Sequence, residues 1–94
     1  MTREEFKEKA KQGLDDLFTK IDELDKKKDL VSDDLKNSYH EQIEELNKRK
    51  HELKSKFLKL MGASENDWEE HKNSFNSTYD TFKEGYYKLS SFFK

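Results

Sequence analysis

Cysteine and proline are absent from the 94-residue sequence, and glycine occurs only at positions 13, 62 and 85. Without cysteine the chain forms no disulfide and offers no thiolate as nucleophile or metal ligand. No apolar run exceeds two residues, which is too short for a membrane-spanning helix or the hydrophobic region of a signal peptide. Valine occurs once and isoleucine twice, so residues that favour strands are scarce. We therefore expect a soluble, cytoplasmic, all-α protein.

Only 31% of the residues are hydrophobic and 43% are charged, with a net charge of −2. A chain this polar can fail to fold, because little apolar burial opposes the entropy of ordering. Its apolar residues, however, recur at alternating spacings of three and four. A narrow apolar seam flanked by charges of both signs is typical of a coiled coil. The sequence predicts a single domain, residues 1–94, folded as an antiparallel helical coiled coil three helices thick.

Three segments carry this spacing, and the last holds most of the aromatic residues. The seam of the first is Leu14, Leu17, Ile21, Leu24, Lys28, Val31 and Leu35. The seam of the second is Tyr39, Ile43, Leu46, Lys50, Leu53, Phe57 and Leu60. The seam of the third is Trp68, Lys72, Phe75, Tyr79, Phe82, Tyr86, Leu89 and Phe93.

The stretch MGASENDW, residues 61–68, predicts a corner at 62–64 followed by a helix over about 65–92. Gly62 suits the left-handed position that often follows a helix. Ser64 fits an N-cap, and Asp67 takes the position of the acid in a capping box. Trp68, the only tryptophan, then serves as the packing anchor of the corner rather than as a ligand-binding residue.

Residues 29–34 leave two architectures open. Ser32 could cap a new helix there, which would give a compact three-helix monomer. Residues 25–36 contain no glycine, proline or asparagine, however, and the apolar spacing passes through them. These features favour one continuous helix over about 2–61 and a swapped homodimer of two such chains, with a rod of roughly 90 Å.

Seam positions also predict which residues lie opposite each other. A turn near 29–34, or its equivalent between two chains, pairs Leu24 with Tyr39. A tight corner after Met61 pairs Phe57 with Trp68 and Tyr39 with Tyr86. Lysines within the seams, such as Lys50 and Lys72, can lay their stems on apolar surface while the ammonium groups reach water.

The sequence lacks the patterns that enzymes and metal sites require. None of the three histidines has a carboxylate three residues before it, so the Glu-x-x-His motif of di-iron bundles is missing. His40 and Glu44 share a helix face, but two exposed ligands do not define a metal site. There is no glycine-rich phosphate loop, since the glycines stand alone. We expect no catalytic residues, no cofactor and no metal.

The segment KRKHELKSKFLK, residues 48–59, is locally basic. Lysine and arginine near a helix C-terminus stabilise the negative end of the helix dipole, and acid-rich residues 65–80 would lie alongside. With a net charge of −2, nucleic acid is an unlikely partner.

The run YHEQIEELNKRKHELKSKFLKLMGASENDWEEHKNSF resembles a family of small bacterial stress-associated coiled-coil proteins. The resemblance covers roughly residues 14–89 and is strongest at Ala63, Ser64, Asp67 and Trp68. This chain departs from the family pattern at His71 and in residues 73–81, which are rich in Asn, Ser and Thr. The resemblance implies a stress-linked, noncatalytic role of unsettled mechanism, and it transfers no functional site.

Two functions compete. The first is a noncatalytic interaction or assembly protein that forms a homodimer and binds an unknown protein partner. Its possible contact surface comprises the apolar residues off the seam: Phe18, Leu30, Leu58, Tyr87 and Phe92. The second is reversible binding to lipid or membrane surfaces through the aromatic segment 68–94. A narrow apolar stripe on an anionic chain suits membranes poorly, so the first is favoured.

Overall fold

The computed structural model describes residues 2–93, which are 89% helical and form three helices packed against each other. The helices are α1 (Arg3–Lys26), α2 (Lys36–Met61) and α3 (Trp68–Ser90). Short 3-10 turns lie at Lys28–Leu30, Asp33–Leu35 and Ser91–Phe93. No strand occurs in this part of the chain, so the all-α class is confirmed. The body measures 51 × 18 × 16 Å.

The start of α1 is fixed by a side-chain cap. The Thr2 hydroxyl oxygen accepts a hydrogen bond from the Glu5 backbone N–H at 3.1 Å and donates to Glu5 Oε1 at 3.2 Å. Such a cap satisfies one of the N–H groups that a helix start leaves unpaired. The Thr2 and Glu5 spacing is that of a capping box, and sequence reasoning overlooked it.

The chain turns between α1 and α2, which corrects the continuous helix over 2–61 that the sequence favoured. Val31 and Ser32 have extended backbones, with ψ of 140° and 151°. The longest dimension of the molecule is 51 Å, which is much shorter than the expected rod of roughly 90 Å. Two tertiary contacts outweigh the local sequence features that favoured a continuous helix. Val31 is buried to 4% exposure, and the Tyr39 hydroxyl donates a hydrogen bond to the Leu24 carbonyl. The second contact joins the two residues that seam pairing placed opposite each other.

The corner between α2 and α3 occupies residues 62–67 and is longer than the sequence suggested. Gly62 has φ of −97°, so it does not adopt the expected left-handed conformation, and its N–H donates to the Leu58 carbonyl at 3.2 Å. Ser64 Oγ donates to Asp67 Oδ2 at 3.2 Å, while the Asp67 N–H donates to the Ser64 carbonyl at 3.2 Å. These bonds close a turn ahead of α3 rather than capping the helix at Ser64.

The longer corner shifts the register of α2 against α3. Phe57 lies beside Phe75 at 6.1 Å between ring centroids, and Tyr39 lies beside Phe93 at 5.5 Å. The expected partners were Trp68 and Tyr86, so each pair is displaced by seven residues. A shift of seven is one heptad, which brings seam positions opposite seam positions again.

The core is entirely apolar among the described residues, and each helix contributes one stripe. Its members are Ala10, Leu14, Leu17, Ile21, Val31, Tyr39, Ile43, Leu46, Leu53, Leu60, Trp68, Phe75, Phe82 and Leu89. The seam lysines lie at its edge. Lys50 Nζ is 4.8 Å from the Phe18 ring centroid, and Lys72 Nζ is 5.3 Å from that of Phe6. A cation over an aromatic face is attracted by the ring quadrupole, so α1 packs under lysines from both other helices.

The two helix-interior glycines provide a matched stability test. Alanine at either position gains up to about 1 kcal/mol of helix propensity. A Cβ at Gly85 would lie 2.6 Å from Cδ2 of the buried Leu46, whereas one at Gly13 would meet the half-buried Tyr79 hydroxyl at 3.0 Å. We expect Gly85→Ala to lower the free energy of unfolding by about 1–2 kcal/mol. Gly13→Ala should leave it unchanged or raise it, by up to about 1 kcal/mol. Urea unfolding of both variants measures this, and equal shifts would contradict the close packing at Gly85.

Candidate functional site

The bundle has two chemically different ends. At the loop end, the connection 27–35 and the last turn Ser91–Phe93 come together around Tyr39. The Tyr39 ring lies edge-on to Phe92 at 5.4 Å and to Phe93 at 5.5 Å. At the corner end, the start of α1 meets the start of α3. There Phe6 lies edge-on to Trp68 at 5.8 Å, and Arg3 Nη2 is 3.4 Å from Glu65 Oε1.

The five apolar residues predicted as a contact surface do not form one surface. Leu30, Leu58 and Tyr87 are exposed, to 75%, 68% and 56%. Phe18 and Phe92 are half-buried and pack against the core. Phe18 lies edge-on to Phe82 at 5.6 Å, and Lys50 and Lys54 cover its ring.

Leu30 and Leu58 lie near opposite ends of the bundle. Leu30 precedes the start of α2 and Leu58 is three residues from its end, so roughly 30 Å of helix separates them. Each has an exposed apolar neighbour that sequence reasoning missed. Leu35 at the loop end and Met61 at the corner end are both 42% exposed. Leu35 was assigned to the buried seam, and only its place beside the helix break could have indicated its exposure.

We define the loop-end patch as Leu30 and Leu35, the two exposed leucines of the connection 27–35. Leu30 and Leu35 flank the buried Val31, which fixes the connection to the core while the two leucines face solvent. Charges of both signs surround them, among them an ion pair between Lys36 Nζ and Asp33 Oδ1 at 3.2 Å. An apolar centre with a mixed polar rim is the usual composition of a protein contact.

The Tyr39 hydroxyl, at the same end of the bundle as this patch, has a shifted pKa. Burial raises the pKa of Tyr39 above its ordinary value, and the negative charge of Asp25 adds to the effect. Both causes favour the neutral phenol, which can donate its proton to the Leu24 carbonyl. On α1, the hydrogen bond to Asp16 raises the pKa of Lys20, and that pair is an exposed i,i+4 ion pair at 3.2 Å.

Among the surface grooves of the bundle, two differ in chemical character. The first, of about 370 Å³, lies between α2 and α3 over Leu46 and Gly85. Its walls are charged, and Arg49 Nε bonds Glu45 Oε1 at 3.0 Å. The second, of about 220 Å³, lies between α1 and α3 and is mostly apolar, with Phe6, Gly13 and Tyr79 in its walls.

The His40 and Glu44 side chains noted in the sequence are in contact on the surface of α2. His40 Nε2 lies 2.9 Å from Glu44 Oε1, and both side chains are largely exposed. Across residues 2–93, no three side chains from His, Asp and Glu are grouped closely enough to hold a metal ion. Within the same range, no helix has the length and apolar character needed to cross a membrane.

Comparison of the chain with protein-family models, curated proteins and solved structures finds no match. The loop-end and corner-end surfaces therefore rest on the geometry of this chain alone.

The Tyr39 hydroxyl gives the stability of the loop end a pH dependence. A raised pKa in the folded state means that its contribution is present below the unfolded value of about 10 and is lost as pH rises through the folded pKa. Tyr39→Phe removes the titrating group together with its hydrogen bond. We expect the variant to be less stable at pH 7 by about 0.5–1.5 kcal/mol, with the gap shrinking above pH about 10. Urea unfolding from pH 7 to 11 measures the gap, and a constant difference would contradict this role.

Proposed function

We propose that the protein is a noncatalytic interaction module. In this proposal its helices pack as an antiparallel coiled coil, and the loop-end patch contacts a protein partner. The observation that carries the proposal is the outward position of Leu30 and Leu35 on either side of the buried Val31. The buried Val31 holds both leucines at the surface of the compact chain, where a partner can cover them.

The corner end supports contact less well. Leu58 and Met61 are exposed there, but they lie three residues apart on the regular surface of α2. Single exposed apolar residues on a helix are normal for soluble proteins. Leu58 and Met61 therefore serve as a control of similar exposure and chemistry.

Lipid binding, the competing function, would have to use an apolar stripe that is already buried. Trp68 is 8% exposed, and Phe75, Phe82 and Leu89 are more deeply buried. Releasing α3 to a membrane would expose these side chains to water at about 1.5–3 kcal/mol each before lipid covered them. The buried stripe supports a docked α3 and contact through the ends of the bundle.

A stress-linked role and a cytoplasmic location stay predictions from the sequence. The resemblance that implies the stress role is strongest at residues 63–68, which build the corner. The loop-end patch lies at the opposite end of α2, so the proposed contact does not depend on that resemblance.

The partner contact is tested by paired substitutions. A protein that binds to the immobilised wild-type chain should not bind to the double variant Leu30→Ser with Leu35→Ser. It should still bind to the control double variant Leu58→Ser with Met61→Ser. With the purified partner, calorimetry should show at least about a tenfold loss of affinity for the first pair, as expected for central apolar contacts. Equal loss for both pairs, or for neither, would overturn the loop-end assignment.

Trp68 reports whether α3 leaves the bundle for lipid. We expect vesicles of neutral or anionic phosphatidyl lipids to leave Trp68 emission and the circular dichroism unchanged at micromolar protein, because the indole is already packed against Phe6. Vesicles carrying brominated acyl chains should not quench it. A blue shift with rising helicity, or quenching by bromine, would replace the interaction module with a lipid-binding protein.

A further inference from the structure

The helix break between α1 and α2 is confined to two residues. Val31 and Ser32 have extended backbones, whereas residues 28–30 and 33–35 on either side form 3-10 turns. Neither Ser32 nor Leu35 makes a side-chain capping hydrogen bond, in contrast to Thr2 at the start of α1. A helix-compatible rotation at Val31 and Ser32 would therefore join α1 to α2 without breaking a cap.

The apolar pattern continues across the break. Leu24, Val31 and Leu35 keep the spacing of a single stripe, with Lys28 between them. In the compact fold Leu35 is 42% exposed although it holds a seam position. One continuous helix would place Leu35 on the same face as Leu24 and Val31, where another chain could bury it.

α1 is also the helix best suited to exchange between two copies of the chain. The backbones of α2 and α3 approach each other closely along their length, whereas α1 packs farther out. Its contacts with α3 run through large side chains, such as Phe6 against Trp68 and Phe18 against Phe82. The same contacts could form with the α2–α3 hairpin of a second chain, because the surface that α1 covers is identical there.

We propose that a second copy of this chain is a partner of the module, bound by exchange of α1. The connection 27–35 straightens into helix, and α1 of each chain packs on the α2–α3 hairpin of the other. Val31 and Leu35 of both chains then lie near the twofold axis on the shared apolar stripe, whereas Leu30 lies on another face of the helix. The inference rests on the proposed function for the role of Leu35, and it names the partner.

A proline at position 32 distinguishes the compact monomer from the dimer that exchanges α1. Ser32 has φ of −61°, the value that proline imposes, and Val31 has the extended conformation favoured before proline. Ser32→Pro therefore fits the compact fold but blocks a continuous helix. Ser32→Ala at the same site favours the helix. Each protein is unfolded, refolded at submillimolar concentration and examined by light scattering and small-angle X-ray scattering.

Wild type and Ser32→Ala should yield a dimer with a longest dimension near 90 Å, as roughly 59 residues of continuous helix require. Ser32→Pro should stay a monomer of 51 Å with unchanged helicity, its dimerisation constant weakened by more than about 100-fold. The exchange is overturned if the wild-type protein and the Ser32→Ala variant both stay monomeric. It is also overturned by a Ser32→Pro protein that dimerises as well as wild type, which would instead place the second copy on the intact loop-end patch.

Cross-linking tests the exchange independently of mass. Arg3 and Glu65 form an exposed ion pair within the compact chain, and the sequence has no cysteine to interfere. Chains carrying Arg3→Cys are refolded together with chains carrying Glu65→Cys and treated with a short bismaleimide. Exchange predicts a covalent heterodimer, absent when both chains also carry Ser32→Pro. No heterodimer from a dimeric mixture overturns the exchange, while loss of partner binding in the Leu30 and Leu35 variant tests the proposed function separately.

Discussion

The close approach of α2 and α3 at Gly85 determines the geometry of the rest of the bundle. Leu46 fills the space that a side chain at position 85 would occupy, and both lie beneath the charged groove between the two helices. Glycine inside a helix costs about 1 kcal/mol relative to alanine, and here it permits tight packing of the hairpin. α1 then completes the core from outside, through its buried aliphatic stripe and the partly buried rings of Phe6 and Phe18, with less backbone proximity than α2 and α3 have.

Cationic side chains packed over aromatic rings explain how this highly charged chain encloses an apolar core. The seam positions Lys50 and Lys72 place their ammonium groups over rings of α1, and Arg3 and Lys7 approach the Trp68 ring at 5.9 Å. Each contact places a cationic group over an aromatic face, where the ring quadrupole attracts it. These contacts bring aromatic rings at the edge of the seam under charged side chains. The packed interior is therefore wider than the seam alone, and the exterior stays charged without further hydrophobic residues.

Local pattern was sufficient to predict the helices and most of the core, because burial follows the three-four spacing. It could not determine the register of α2 against α3, since a shift of seven residues preserves every apolar match. Nor could it determine the turn at Val31, which depends on the burial of Val31 and on the bond from Tyr39 to Leu24. Of the five residues predicted as a contact surface, three are exposed, namely Leu30, Leu58 and Tyr87. Leu30 and Leu58 are exposed as expected, but their separation depends on the fold.

The corner 62–67 and the connection 27–35 are held by different interactions. For this reason we expect conformational change at the connection 27–35 rather than at the corner. At the corner, the Ser64–Asp67 bonds and the Arg3–Glu65 ion pair act within or directly beside residues 62–67, and Trp68 anchors the next helix. At the loop end, the backbone bonds from the Val31 N–H to the Lys28 carbonyl and from the Leu35 N–H to the Ser32 carbonyl are local, and no side chain caps the start of either turn or of α2. Exposed segments with few buried contacts open at a lower free energy than the helices they join. A second chain supplies an equivalent packing surface for α1, and Leu35, exposed beside the break, is the seam residue that the exchange would cover.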